Sequence, residues 1–314
     1  MNKFDYGVFS KYISDDNITD INYNGQTIWV DHIYEGRYQV IEDYTQADME
    51  NFCYRFANYA NKQFNNSHPI LESETDDLRI SILHKSLVSI GYSISIRKTP
   101  ARLRLNSQYL IESNYADEEL LNILKELVIK RNNIIISGLP GVGKTEFLKY
   151  LTKFINANER VITIEDNLEI RYPIIHQDKD GVMLKINRQV SYRDAIKASL
   201  RQRVDWILLS EVRGDEVVEL LQAVSTGSSL ISTIHADGAE SIPNRLLHMF
   251  PGNEIVNDKL LYRIHETIDY GVHIRSEISN QGVKRYIAEV VRFNVAKNKV
   301  VSEVIYRREG GYNH

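Results

Sequence analysis

The chain has 314 residues and 43% apolar content, enough for one large or two ordinary domains with real cores. Lys and Arg total 38 against 42 Asp and Glu, a formal charge of −4, which argues against a nucleic-acid coat or a membrane-surface binder. The single cysteine, Cys53, excludes an intrachain disulfide framework and a Cys-rich zinc site, and it is read as a small buried hydrophobe.

The first residues, Met1-Asn2-Lys3-Phe4-Asp5-Tyr6, lack the basic and apolar regions of a secretory signal, and no apolar run approaches the ~18 residues of a membrane span, so a soluble cytoplasmic protein is expected. After an opening helix, residues 18–30 alternate loosely around the turn signal Asn24-Gly25 and predict a two-stranded ribbon. A helix follows over 45–64, with Thr45 as N-cap and Met49, Phe52, Phe56, Tyr59 and Ala60 at helical spacing. Residues 78–82 and 89–97 read as strands, the second alternating Ile90, Tyr92, Ile94 and Ile96. This first region, 1–98, is an α+β domain. Pro100 breaks the pattern, and a linker is placed at 99–112.

The second domain, 113–314, starts with a helix around Leu120, Leu121, Leu124, Leu127 and Val128. The β-branched run Asn132–Ser137 reads as a buried strand. It leads into Gly138-Leu139-Pro140-Gly141-Val142-Gly143-Lys144-Thr145, which fits G-x-x-x-x-G-K-[ST]. In that loop backbone N–H groups close around phosphate oxygens, Lys144 meets the β/γ-phosphates and Thr145 the Mg²⁺. Phe147, Leu148, Leu151, Phe154 and Ile155 continue as an amphipathic helix whose N-terminus faces the phosphates, so the nucleotide-binding set runs from Gly138 to Glu146. Short apolar runs at 161–164, 206–209 and 230–234, separated by helix-length segments, predict a mostly parallel sheet and an α/β fold.

Hydrolysis of ATP needs an acid near Mg²⁺, a group that orients or deprotonates water, and a cation for the charge on the transferring phosphoryl group. Such groups belong at the C-terminal ends of parallel strands. Glu165 with Asp166, Glu211, and His235 each end one. A capping or solvated acid, and a structural histidine, are the bland alternatives.

Four ordered motifs, Gly138–Thr145, Ile162–Glu169, Ser210–Gly214 and Thr226–Ala236, resemble the Walker A, Asp-box, Walker B and His-box motifs of the secretion ATPase superfamily. The resemblance covers the ATPase domain. It extends to Leu200–Asp205, with Val204 at a usual proline, and to the N-terminal stretches 18–25, Arg79 and Ser95–Lys98, and it is weakest over 30–70. It implies a RecA-like P-loop core, Glu165 as base or water-orienting acid, Glu211 as the Walker B acid near Mg²⁺, and His235 as a sensor of the γ-phosphate. Asp166 and Glu169 are read as shaping the strand end. Arg79 and Arg97, solvated surface arginines on composition alone, become arginines that reach the γ-phosphate when the N-terminal domain closes.

The resemblance further implies a homohexamer acting with an inner-membrane platform or secretion-channel proteins, and with a coupling protein or pilin machinery, at the cytoplasmic face of the membrane. With one cysteine the chain cannot form the four-cysteine insertion common in type II and assembly-pilus members, and the retraction ATPases' Ala-Ile-Arg segment is missing. The short N-terminal domain is most similar to the conjugation/type IV secretion and CpaF-like Tad-pilus branch. Two other readings stay open. A non-hydrolysing assembly factor is opposed by Lys144, Glu165 and Glu211. A RecA-like DNA motor would need a basic, aromatic-interleaved track that the composition does not advertise, so no sequence-specific nucleic-acid binding is expected.

Overall fold

The computed structural model describes residues 4–252, 258–279 and 282–308. Contacts divide the chain into two units, one of residues 1–100 with 278–284, the other of 101–277 with 285–314.

In the first unit, helix α1 (Ser10–Ser14) precedes strands β1 (Ile18–Tyr23), β2 (Ile28–His32) and β3 (Gly36–Gln39). Helix α2 (Gln46–Tyr59) and strands β4 (Ile70–Glu74), β5 (Leu78–Leu83) and β6 (Ser93–Lys98) follow. The six strands form one antiparallel sheet in the order β3-β2-β1-β6-β5-β4. The ribbon around Asn24-Gly25 is present, as β1 and β2 of this wider sheet. Thr45 caps α2 in a capping box with Asp48. The helix stops at Tyr59 rather than 64, and β6 begins at Ser93 rather than 89, because Gly91 turns there with φ +66°.

Alternation buries one face only: Ile21, Ile28, Val30, Ile80, Ile82, Ile94 and Ile96 pack against Met49, Phe52, Cys53 and Phe56 of α2. Cys53 is fully buried there, and burial pushes its thiol up to about 12, so it serves as the inert hydrophobe expected. Across the opposite face the register lines up Arg37, Asp31, Asp20, Arg97, Arg79 and Glu74, one residue from each strand, in a single transverse rung.

The second unit opens with helices α3 (Ser107–Glu112) and α4 (Glu118–Ile129). Helix α3 falls inside the stretch read as linker, and its Leu110 belongs to the unit's core. Then come β7 (Ile134–Ser137), α5 (Lys144–Leu151), β8 (Val161–Glu165), α6 (Tyr172–Ile175), β9 (Gly181–Lys185), α7 (Tyr192–Ser199) and β10 (Trp206–Leu209). The series ends with α8 (Val217–Ser225), β11 (Ser229–Ile234), α9 (Ile242–Leu247), α10 (Asp258–Thr267), β12 (Tyr270–Ser279), β13 (Gly282–Ala296) and β14 (Lys299–Arg307).

The sheet order is β14-β13-β12-β7-β11-β10-β8-β9, parallel from β12 through β9. Successive residues of its strands feed two cores. Ile134, Ile136, Trp206, Leu208 and Ile231 pack with α4 and α5. Ile135, Ile162, Ile164, Ile207, Leu209 and Ile234 pack with α7, α8, α9 and α10. A sheet covered on both faces explains why these strands are continuously apolar. The α/β P-loop architecture with a smaller α+β unit before it is thus the fold observed.

Candidate nucleotide site

The order β7-β11-β10-β8 places the four motif loops side by side at the C-terminal edge of the parallel strands, the edge where such sheets bind ligands. The loop after β7 depends on glycine. Gly138 has φ +149°, and a Cβ there would lie 2.5 Å from the Ile274 carbonyl oxygen. Gly143, at φ +92°, is the N-cap of α5 and offers no side-chain acceptor, so the first N–H groups of the helix are left for an anion. Leu139 is exposed and Val142 buried, pinning the loop on one side only.

Lys144 is buried, and its ammonium donates to the carbonyls of Gly138 at 2.8 Å and Leu139 at 3.1 Å. Burial pulls its pKa down to about 8, against the upward pull of Glu211. His235 Nδ1 lies 3.2 Å from Lys144 Nζ, and His235 Nε2 lies 2.8 Å from Glu211 Oε1. With Nε2–H donating to the carboxylate, Nδ1 is the acceptor for Lys144. Lys144, Glu211 and His235, from three different motifs, are therefore brought into one hydrogen-bonded cluster.

Glu165 is placed otherwise. Its side chain is fully buried, and Oε2 accepts from the backbone N–H groups of Glu169 and Ile170, both at 2.8 Å. Oε1 is buried without a hydrogen-bond partner, and burial raises the carboxyl to about 7. Its neighbour Asp166, read above as shaping the strand end, is the acid that joins the cluster, because Arg213 bridges it to Glu211. Burial raises Asp166, but the charge and hydrogen bond of Arg213, with hydrogen bonds from Asn167 and Tyr192, together outweigh it and hold the carboxyl below its usual range. Sequence reasoning gave Arg213 no role. The available signal was its i, i+2 spacing from Glu211, which puts both side chains on one side of an extended segment.

Among the other expected residues, Thr145 is half-buried at the start of α5, and Glu146 pairs with the buried Lys149 at 2.9 Å, one helical turn on. Arg79 and Arg97 sit directly opposite each other on β5 and β6, exposed, with Arg97 Nε 2.7 Å from Asp20 Oδ1. Among the described residues no group of three or more His, Cys, Asp or Glu side chains can hold a metal unaided. The Thr145 hydroxyl and the partly exposed Glu211 carboxylate are nonetheless hard oxygen donors of the kind Mg²⁺ uses when phosphates and waters complete its shell, so the residues present fit it.

A glycine loop opening a helix, with a lysine, an acid and a histidine gathered at a parallel strand edge, defines a P-loop nucleotide hydrolase. The family model described as type II/IV secretion system protein matches residues 65–270, and the chain belongs to that family, the ATPases of the secretion superfamily. It is 31% identical to an uncharacterised protein of Bacillus anthracis over 96% of this chain and 71% of that one. It is 22% identical to a putative conjugal transfer protein of Mycobacterium tuberculosis, covering 97% of this chain and 89% of the relative. The crystal structure of the ATPase DotB of Legionella pneumophila superposes with a TM-score of 0.69 at 18% identity, over 93% of this chain and 82% of that one, a likeness of fold. No helix among the described residues is long and apolar enough to cross a membrane.

Proposed function

We propose that the chain hydrolyses ATP to power type IV secretion, conjugative transfer or the assembly of a pilus, as a homohexameric ring docked on the cytoplasmic face of the membrane. The observation that carries the chemistry is the contact of Lys144 and Glu211 with the same histidine, at the edge where the phosphates would lie. The mycobacterial relative's description as a putative conjugal transfer protein favours the conjugative branch.

In this reading the N–H groups from Gly141 to Thr145 bind the phosphates, and Lys144 exchanges the carbonyls of Gly138 and Leu139 for phosphate oxygens. Thr145, and Glu211 directly or through water, would hold Mg²⁺, which would supply neutralisation of the phosphate charge. Glu211 orients its neighbours there, His235 reports whether the γ-phosphate is present, and Glu165 takes the proton of the attacking water once the loop after β8 exposes it. The N-terminal domain closes over the nucleotide held by the second domain, hinged near Pro100, and closure brings Arg79 and Arg97 to the γ-phosphate. The partners are a membrane platform or channel and its coupling or pilin machinery.

The test is turnover and nucleotide affinity of three variants. Lys144→Ala should lose tight binding, whereas Glu211→Gln and Glu165→Gln should bind ATP and fail to hydrolyse it. Wild-type turnover in both acid variants would refute the assignment.

A further inference from the structure

Glu211 is held at both ends. Oε1 meets His235 Nε2 at 2.8 Å, and Oε2 accepts from Arg213 Nε at 2.7 Å. The same guanidinium donates through Nη1 to Asp166 Oδ2 at 2.8 Å. Arg213 therefore ties the loop after β10 to the loop after β8, its neighbour in the sheet. Asp166 is itself fixed: its Oδ1 accepts from Asn167 N–H at 2.9 Å, and its own N–H donates to the Tyr192 hydroxyl at 3.0 Å.

Stability does not account for this arrangement. The Arg213 side chain is 55% exposed, and an ion pair with that much solvent contributes about 0–1 kcal/mol. Geometry does account for it. Glu211 is only 13% exposed, and its carboxylate plane is set by one bond on each oxygen. A carboxylate that must present a lone pair to a hydrated cation in one direction gains from such a fixed plane. The planar guanidinium can span two carboxylates through two nitrogens, which a single ammonium cannot do with the same directionality.

We propose that Arg213 is a positioning residue for hydrolysis: anchored on Asp166, it fixes the Glu211 carboxylate plane so that Oε1 faces His235 and Oε2, bonded to Arg213 through one lone pair, keeps its other lone pair oriented toward the metal and the water. The inference rests on the ATPase reading given above. Arg213 acts through Glu211 and needs no contact with the nucleotide.

The test uses the full chain with Arg213→Ala, Arg213→Lys, Asp166→Asn and the double variant Asp166→Asn/Arg213→Ala. Two quantities are read: steady-state kcat and KM for ATP, and the affinity of Mn²⁺ for the protein–ADP complex by electron paramagnetic resonance. Arg213→Ala should lose about 10–100-fold in kcat and weaken Mn²⁺ binding in the same direction, with KM for ATP little changed. Lysine should not restore either quantity. Asp166→Asn should shift both the same way, and the double variant should be no worse than Arg213→Ala, because the two residues act as one unit. Asp166→Asn carries the test alone if the alanine variant does not fold. Wild-type kcat and Mn²⁺ affinity in Arg213→Ala, or losses that add in the double variant, would overturn the role while leaving the ATPase reading intact. A wild-type chain that neither binds nor hydrolyses ATP would remove that reading, and this role with it.

Discussion

Replacing Glu165 with Gln should stabilise the protein above neutral pH, although the same change should abolish turnover. The carboxyl is fully buried, one oxygen has no partner, and burial raises its pKa from the ordinary 4.5 to about 7. A group whose pKa is higher folded than unfolded favours folding fully below the unfolded value, and that contribution is lost as pH rises through the folded value. Between pH 4.5 and about 7 the wild type should therefore lose about 3 kcal/mol that a glutamine, which never ionises, does not lose. The substituted amide keeps an oxygen to accept the Glu169 and Ile170 N–H groups, so the fold of the loop is preserved. Thermal denaturation from pH 5 to 8.5 reads the difference, which should grow with pH to about 6–12 °C for a unit of this size. Turnover of the wild type should rise over the same interval as the base ionises. Parallel melting profiles for the two proteins across the range would refute the reasoning.

Gly138→Ala combines a left-handed backbone with a Cβ 2.5 Å from a carbonyl oxygen, so it should cost at least about 1–3 kcal/mol and abolish binding of a fluorescent ADP analogue; a variant that melts and binds as the wild type does would contradict the loop geometry. Arg97→Ala should cut turnover well over tenfold where an arginine meets the γ-phosphate, an effect worth up to ~10³ or more. Because Asp20 holds Arg97 at 2.7 Å, Asp20→Asn should release it and raise turnover or leave it unchanged, and a loss equal to that of Arg97→Ala would show that the pair is structural. Mg-ATP or a non-hydrolysable analogue should shift the chain to hexamers, and light scattering that finds only monomer at saturating nucleotide would count against a ring.

The parts of this molecule legible in sequence are those where one local rule decides. The runs at 134–137, 161–165, 206–209 and 229–234 are rich in apolar residues, with no alternation of charge, because both faces of the strand are covered, and Thr45 with Asp48 announces the start of α2. Strands β12, β13 and β14 went unread because charged and polar residues interrupt their apolar runs, and β14 has a face that is only partly covered, as the exposure of Val300, Val304 and Ile305 shows. Helix α3 is short, and its burial rests on Leu110. At the site, Lys144, Glu211 and His235 follow from loop pattern and strand ends. The burial of Glu165 depends on how the loop after β8 folds back on its carboxylate, and the reach of Arg213 to Asp166 joins residues 47 positions apart that follow neighbouring strands, so beyond the i, i+2 spacing of Arg213 from Glu211 neither was legible in the sequence.

The rung of six charged residues across the first unit's sheet bears on how that sheet finds its pairing. β1 and β6 are neighbours in space, yet 77 positions separate Asp20 from Arg97 in the chain. Slipping either strand by one residue would turn its half of the rung toward Ile21, Ile80, Ile94 and Ile96, forcing a charge into an apolar layer at a cost of several kcal/mol. Slipping by two would keep the isoleucines inside but separate Asp20 from Arg97. Asp20 and Asp31, directly opposite each other, would then face one another with one fewer of the arginines now beside them, Arg97 and Arg37. The isoleucines thus exclude the odd mispairings and the charges the even ones, so that a row of side chains on the solvent face acts as a key for the longest-range alignment in the unit.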